Sequence, residues 1–187
     1  MSEENQSKQI NIIGINNRYM IKKVDKQKKN NIIRKECLNW NIDQKYYDFN
    51  EQLDLLPRLI NKQIDDYSNS IFKLIHQQIN NKLNSYRNQD LKKNLYNSQL
   101  FIKKENVLLK LLNEKMLCYY CRKQMLIIYD KSRENRQWTI DRIDNDKGHN
   151  CDNYHLSCFE CNIKRRRQSD EKFLFTKQLT IIIITIK

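Results

Sequence analysis

Apolar residues recur three and four positions apart through the middle of the chain, the spacing of amphipathic helices. Leu53, Leu56, Leu59, Ile60 and Ile64 form a first stripe, with Pro57 placed to open a helix and Asp54 near enough to cap it. Ile71, Leu74, Ile75, Ile79, Leu83 and Tyr86 form a second stripe, with Ser68 or Ser70 as N-cap. The two runs predict a helical hairpin. His76 falls on its second helix and reads as a surface or packing residue. Val107, Leu108, Leu111, Leu112 and Met116 predict a further helix over residues 104–116, delivering the chain to Cys118.

Beyond that point the period shortens to two, the spacing of strands. Residues 125–129, MLIIY, read as a short buried strand, and Trp138 to Ile143 alternates in strand fashion. A polar loop from Asp144 to Asp152, containing Gly148, leads to a returning strand at Tyr154 to Ser157. Trp138 and Tyr154 read as packing groups. Phe159 to about Phe173 is expected to be one helix, and the final LTIIIITIK has β character suited to an edge strand. The first 47 residues are rich in Asn and Lys: INIIGINNRYMIKKV allows a short hairpin, and KVDKQKKNNIIRK reads as a basic arm. The expected organisation is a basic, disordered arm over 1–47, a helical accessory region over 48–103 and a mixed domain over 104–187. The fold class is α+β.

Charge changes the picture. The 35 Lys and Arg residues outnumber the 22 Asp and Glu, giving a formal net charge of +13 over 187 residues. Such a balance points to a polyanionic partner, meaning DNA, RNA or an anionic membrane surface. An AT-rich coding sequence, which favours Asn, Ile and Lys codons, would produce the same bias. The start, MSEENQSKQ, lacks the apolar core of a secretory signal, and LTIIIITIK is about half the length needed to span a bilayer. The expectation is an intracellular protein of cytoplasm or nucleus, not secreted and not in a membrane.

The candidate chemistry lies in the last third. Cys118 and Cys121 form one CxxC pair, Cys158 and Cys161 another. A CxxC turn presents two thiolates from one backbone knuckle, and two turns complete a tetrahedron around zinc. Four protein ligands leave no open position, so this zinc is expected to be structural. Without a secretory signal, paired CxxC spacing favours metal over disulfides. Cys37 and Cys151 are left over as free thiols. Within the frame, Asp141 at a strand end and Asn162 at a helix start offer hard oxygen ligands suited to magnesium or manganese.

The combination CYYC, DRIDNDKGHN, Asn153, LSCFECN and RRR resembles the HNH endonucleases, the ββα-metal nucleases, in their four-cysteine zinc-stapled form. It is closest to the homing-endonuclease-like and free-standing versions of phages and large DNA viruses. The resemblance covers roughly Leu117 to Arg167. It implies that Asp141 and Asn162 hold a catalytic Mg²⁺ or Mn²⁺, that Asn153 braces the loop, and that the four cysteines hold the structural zinc. The implied activity is hydrolysis of double-stranded DNA. Where the family has a histidine base directly after the aspartate, this chain has Arg142, which stays protonated and is suited to binding phosphate. The base is then expected to be His155, which lies on the returning strand beside Asp141, or His149, or a metal-bound hydroxide. Lys164, Arg165, Arg166 and Arg167 are expected to contact phosphates. Two rivals share these features: a catalytically inactive zinc-containing module that binds nucleic acid, and an interaction protein whose residues 50–100 recruit a partner.

Overall fold

The computed structural model describes residues 32–63 and 69–178. Contacts divide the chain into Met1–Ile32 and Ile33–Lys187, and the second unit carries the elements below. The basic arm up to residue 31, its suggested hairpin, Ile64, Ser68 and LTIIIITIK lie outside the described residues.

Two 3-10 turns, Lys35–Asn39 and Gln44–Tyr47, lead into helix α1 (Phe49–Ile60). Asp48, not Asp54, caps it, accepting from the Asn50 and Glu51 amides at 2.8 and 3.4 Å. Pro57 therefore sits inside the helix near its end rather than opening it. Helix α2 (Asn69–Lys92) buries Ile71, Leu74, Ile75, Ile79 and Leu83, as its stripe predicts; Ser70 lies within its first turn and is not the cap. Helix α3 (Lys104–Asn113) ends three residues earlier than expected. Lys115 and Met116 turn the chain with φ of 53° and 51°, and the Met116 amide closes onto Leu111 O at 2.8 Å.

The buried run 125–129 is not a strand beyond an isolated bridge between Leu126 and Gln137. Its backbone is satisfied by one side chain instead. The fully buried Gln52 of α1 accepts from the Ile127 and Ile128 amides at 2.8 and 3.0 Å. Its amide nitrogen donates to Ile128 O and Tyr46 O, both at 2.9 Å. Buried backbone polar groups must be paired, and here a helix glutamine substitutes for a sheet neighbour.

Strands β1 (Trp138–Arg142) and β2 (Tyr154–Cys158) form an antiparallel hairpin in which Asp141 faces His155. Among the described residues this is the only sheet, so the fold is α+β with a small β component. The expected long terminal helix is two. Helix α4 (Phe159–Arg165) stops where Arg166 takes φ 55° and ψ −115°, and helix α5 (Asp170–Gln178) follows. Trp138, Ile140 and Leu156 of the hairpin share one buried core with α1, α2 and α3. Among the described residues, no helix is long and apolar enough to cross a membrane.

Candidate active site

The first CxxC pair sits on a tight turn: the Cys118 amide donates to Lys123 O at 2.9 Å and the Arg122 amide to Cys118 O at 3.0 Å. Arg122 takes φ 58° to close it, and the Tyr119 amide ties the turn to Leu156 O of β2 at 3.0 Å. The second pair straddles the junction of β2 and α4. All four sulfurs lie within 4.8 Å of one another. The Cys121 and Cys158 sulfurs are 3.8 Å apart, matching the roughly 3.8 Å edge of a tetrahedron whose metal–sulfur bonds are about 2.3 Å. The cluster can hold a metal ion such as zinc. Hydrogen bonds from Cys158 and then Cys161 hold the Cys118 thiol below its ordinary value. The bond to Cys118 in turn raises Cys158 and Cys161. Thiolates crowded this closely repel one another, and a divalent cation among them would remove that cost. Cys37 and Cys151 stand apart from this cluster.

Asp141 is buried at the end of β1, and each of its oxygens has a protein partner. Arg165 Nη1 donates to Oδ1 at 2.8 Å, and the Tyr120 hydroxyl donates to Oδ2 at 2.7 Å. Burial pushes its carboxyl above the ordinary range, against the downward pull of Tyr120 and Arg165. Arg165 also donates to the carbonyls of Arg142 and Ile143 at 2.6 and 2.9 Å, and only 1% of it is exposed. This corrects the expectation that all four residues of the basic run face phosphate: Arg165 points inward as the counter-ion of Asp141. Lys164 is exposed but paired with Glu160, while Arg166 and Arg167 are exposed.

Asn162 spends its amide nitrogen inward, donating to Thr139 Oγ1 at 3.1 Å and Ile140 O at 3.2 Å. That leaves its oxygen as the outward group. Asn153 clamps the loop, donating to Asp144 O and Gly148 O at 2.9 and 3.0 Å and accepting from the Asp144 amide at 2.8 Å. Arg142 Nη1 donates to the Asn145 and Lys147 carbonyls, both at 2.9 Å.

The two candidate bases separate. A cleft of about 660 Å³ is lined by Asp141, Arg142, His149 and Asn162, together with Arg166. His155 is not on its wall. Its ring stacks on Tyr119 with centroids 3.6 Å apart, and its Nε2 lies 3.2 Å from Asp170 Oδ2. The opposite wall is α2, contributing Lys82, Ser85, Tyr86 and Gln89. The spacing of Lys82, Ser85 and Gln89 marks one polar helix face, the sequence signal that could have found them, with Tyr86 at its border with the apolar stripe. Lys82 Nζ is held by Gln137 Oε1 at 3.0 Å and by Trp138 O, and burial brings its pKa down to about 7. A second hollow of about 920 Å³ shares Arg142, Asn145 and Arg166 with the first and adds Lys93 and Arg167.

No family model, curated protein or solved structure matches the chain.

Proposed function

We propose that this protein is a metal-dependent endonuclease of HNH type that hydrolyses DNA phosphodiester bonds. One observation carries the reading: a single cleft gathers Asp141, Arg142, His149 and Asn162 beside a four-cysteine cluster. Zinc in that cluster would be structural, since four thiolates fill its coordination shell. The donor set for a second cation is the Asp141 carboxylate, whose oxygens each keep a spare lone pair, and the outward oxygen of Asn162. When bound, a Mg²⁺ or Mn²⁺ ion supplies positive charge to the scissile phosphate. The chain's own part is to grip the backbone. Arg142 and Arg166 line the cleft; Arg166, Arg167 and Lys93 extend the positive surface into the adjoining hollow.

The test is supercoiled plasmid incubated with zinc-loaded protein and a titration of magnesium or manganese. Nicked or linear product is expected. Intact DNA with every divalent metal, in single- and double-stranded form, ends this reading.

The pairing of Asp141 with Arg165 and Tyr120 favours a second reading, a nucleic-acid-binding module without cleavage. It predicts plasmid that is retarded on a gel but never cut.

A further inference from the structure

Within the phosphodiesterase reading, which this inference rests on, we infer that His149 is the proton acceptor and that Asp90 of α2 is the positioning residue that holds it in the competent tautomer. Asp90 lies some sixty residues upstream, in the region set apart as accessory by sequence, and is only 1% exposed. Its Oδ2 accepts from the His149 backbone amide at 2.7 Å and its Oδ1 lies 2.7 Å from His149 Nδ1. A carboxylate only accepts, so Nδ1 carries the proton. Nε2 is then the lone-pair nitrogen. No described residue hydrogen-bonds to Nε2, it is not among the buried orphan atoms, and its ring lines the cleft.

The approach is built deliberately into the chain. A β-carbon at position 148 would lie 2.5 Å from Leu95 O and 3.0 Å from Asp90 Oδ2, so only glycine lets the loop come this close to α2. Asn153 fixes the carbonyl of Gly148 from the other side at 3.0 Å. Tyr86 of α2 covers the imidazole, ring centroids 4.6 Å apart, and donates nothing to it; its hydroxyl accepts from the Ile140 amide at 3.1 Å. The charged groups facing the ring are Asp90 and Lys93 from the α2 end and Arg142 from β1. Burial lowers the pKa of His149, outweighing the upward pull of Asp90, and so favours the neutral ring that a base needs.

The step balances simply. A water oxygen forms its bond to phosphorus as the bond from phosphorus to the leaving oxygen breaks. The water proton passes to His149 Nε2, and the leaving oxygen takes a proton from solvent. Asp90 keeps its charge throughout and stabilises the imidazolium.

The experiment uses full-length, zinc-loaded protein with manganese and plasmid DNA, comparing wild type, Asp90→Asn and His149→Gln. Asparagine accepts the His149 amide bond with its oxygen and turns a donor toward Nδ1, which forces the proton to Nε2. Single-turnover cleavage should fall about 10²–10⁴-fold in both variants, with DNA affinity and zinc content unchanged. Imidazole ¹⁵N spectra should show His149 protonated on Nδ1 in the wild type and on Nε2 in Asp90→Asn. A wild-type His149 protonated on Nε2 overturns the inference. So does cleavage by either folded variant within about threefold of wild type, which would leave the nuclease reading standing. A wild type that cuts nothing removes the nuclease reading and this role together.

Discussion

Arg165 and Asp141 form a buried ion pair at the edge of the cleft: Nη1 lies 2.8 Å from Oδ1, and the two side chains are 0% and 7% exposed. Removing one partner of a buried pair strands the other without its counter-charge, which costs about 3–5 kcal/mol. Arg165→Ala should therefore lower the chemical-denaturation midpoint strongly. The pair also holds the C-terminal turn of α4 against β1, through the Arg142 and Ile143 carbonyls. A wild-type midpoint in Arg165→Ala would show that the pair is not formed in solution.

The exposed neighbours should behave in the opposite way. Arg167→Ala is expected to leave stability within about 0.5 kcal/mol. It should weaken binding to all DNA sequences alike, flattening the salt dependence by about one unit of slope for the lost phosphate contact. Filter binding between 50 and 200 mM salt measures this, and an unchanged slope assigns Arg167 to a merely solvated face.

Metal removal is predicted to undo the region around the hairpin. The four cysteines join a turn before β1 to the junction after β2. Apparent zinc binding in small thiolate sites is about 10–16 kcal/mol, comparable to a domain's whole stability. Cys158→Ser, or a strong chelator, should abolish near-ultraviolet circular dichroism from Trp138. Folded protein containing no zinc by elemental analysis would contradict this.

Gln52→Leu should be among the most damaging substitutions in α1 although it removes no charge. It leaves two amides and two carbonyls of buried backbone without partners. Each such group costs about 1–3 kcal/mol, so a loss of about 4 kcal/mol or more is expected in urea unfolding. A loss below about 1 kcal/mol would mean that run 125–129 finds other partners.

Stability should decline as the solution is acidified below neutrality. Burial lowers the pKa of His149 and of His155. A histidine lowered in the folded state is protonated first in the unfolded chain, so the unfolded state gains protons as pH falls through about 6.5. Stability is thus fully present above that value and lost below it. His155→Phe keeps a ring on Tyr119 and should reduce the slope between pH 7 and 6, read from melting temperature; an identical slope would count against a neutral, half-buried His155.

The helices of the middle region and the hairpin were legible because their apolar spacing is regular: the stripe from Ile71 to Leu83 is buried as its period demands, and the alternation after Trp138 gives β1. The cysteine cluster was legible from spacing alone. The misplaced side chains trace mostly to long-range contact. MLIIY has strand composition, but Gln52, more than seventy residues away, takes its hydrogen bonds. Arg165 sits in a basic run and reads as surface, yet a buried carboxylate turns it inward. His155 faces Asp141 across the hairpin, as strand register allowed. The stacking on Tyr119 and the contact with Asp170 that occupy it come from residues whose approach no local pattern encodes.

The turn between α4 and α5 sets durability against grip. Arg166 adopts φ 55° and ψ −115°, a conformation natural to glycine, while its side chain borders both hollows. Holding a residue with a β-carbon there stores about 1–3 kcal/mol; glycine would release most of it, less about 0.5–1 kcal/mol for its own freedom when unfolded. A population selected only for heat resistance should therefore acquire Arg166→Gly early. It would emerge tougher and worse at holding a polyanion, and a library sorted for both properties at once would keep the arginine.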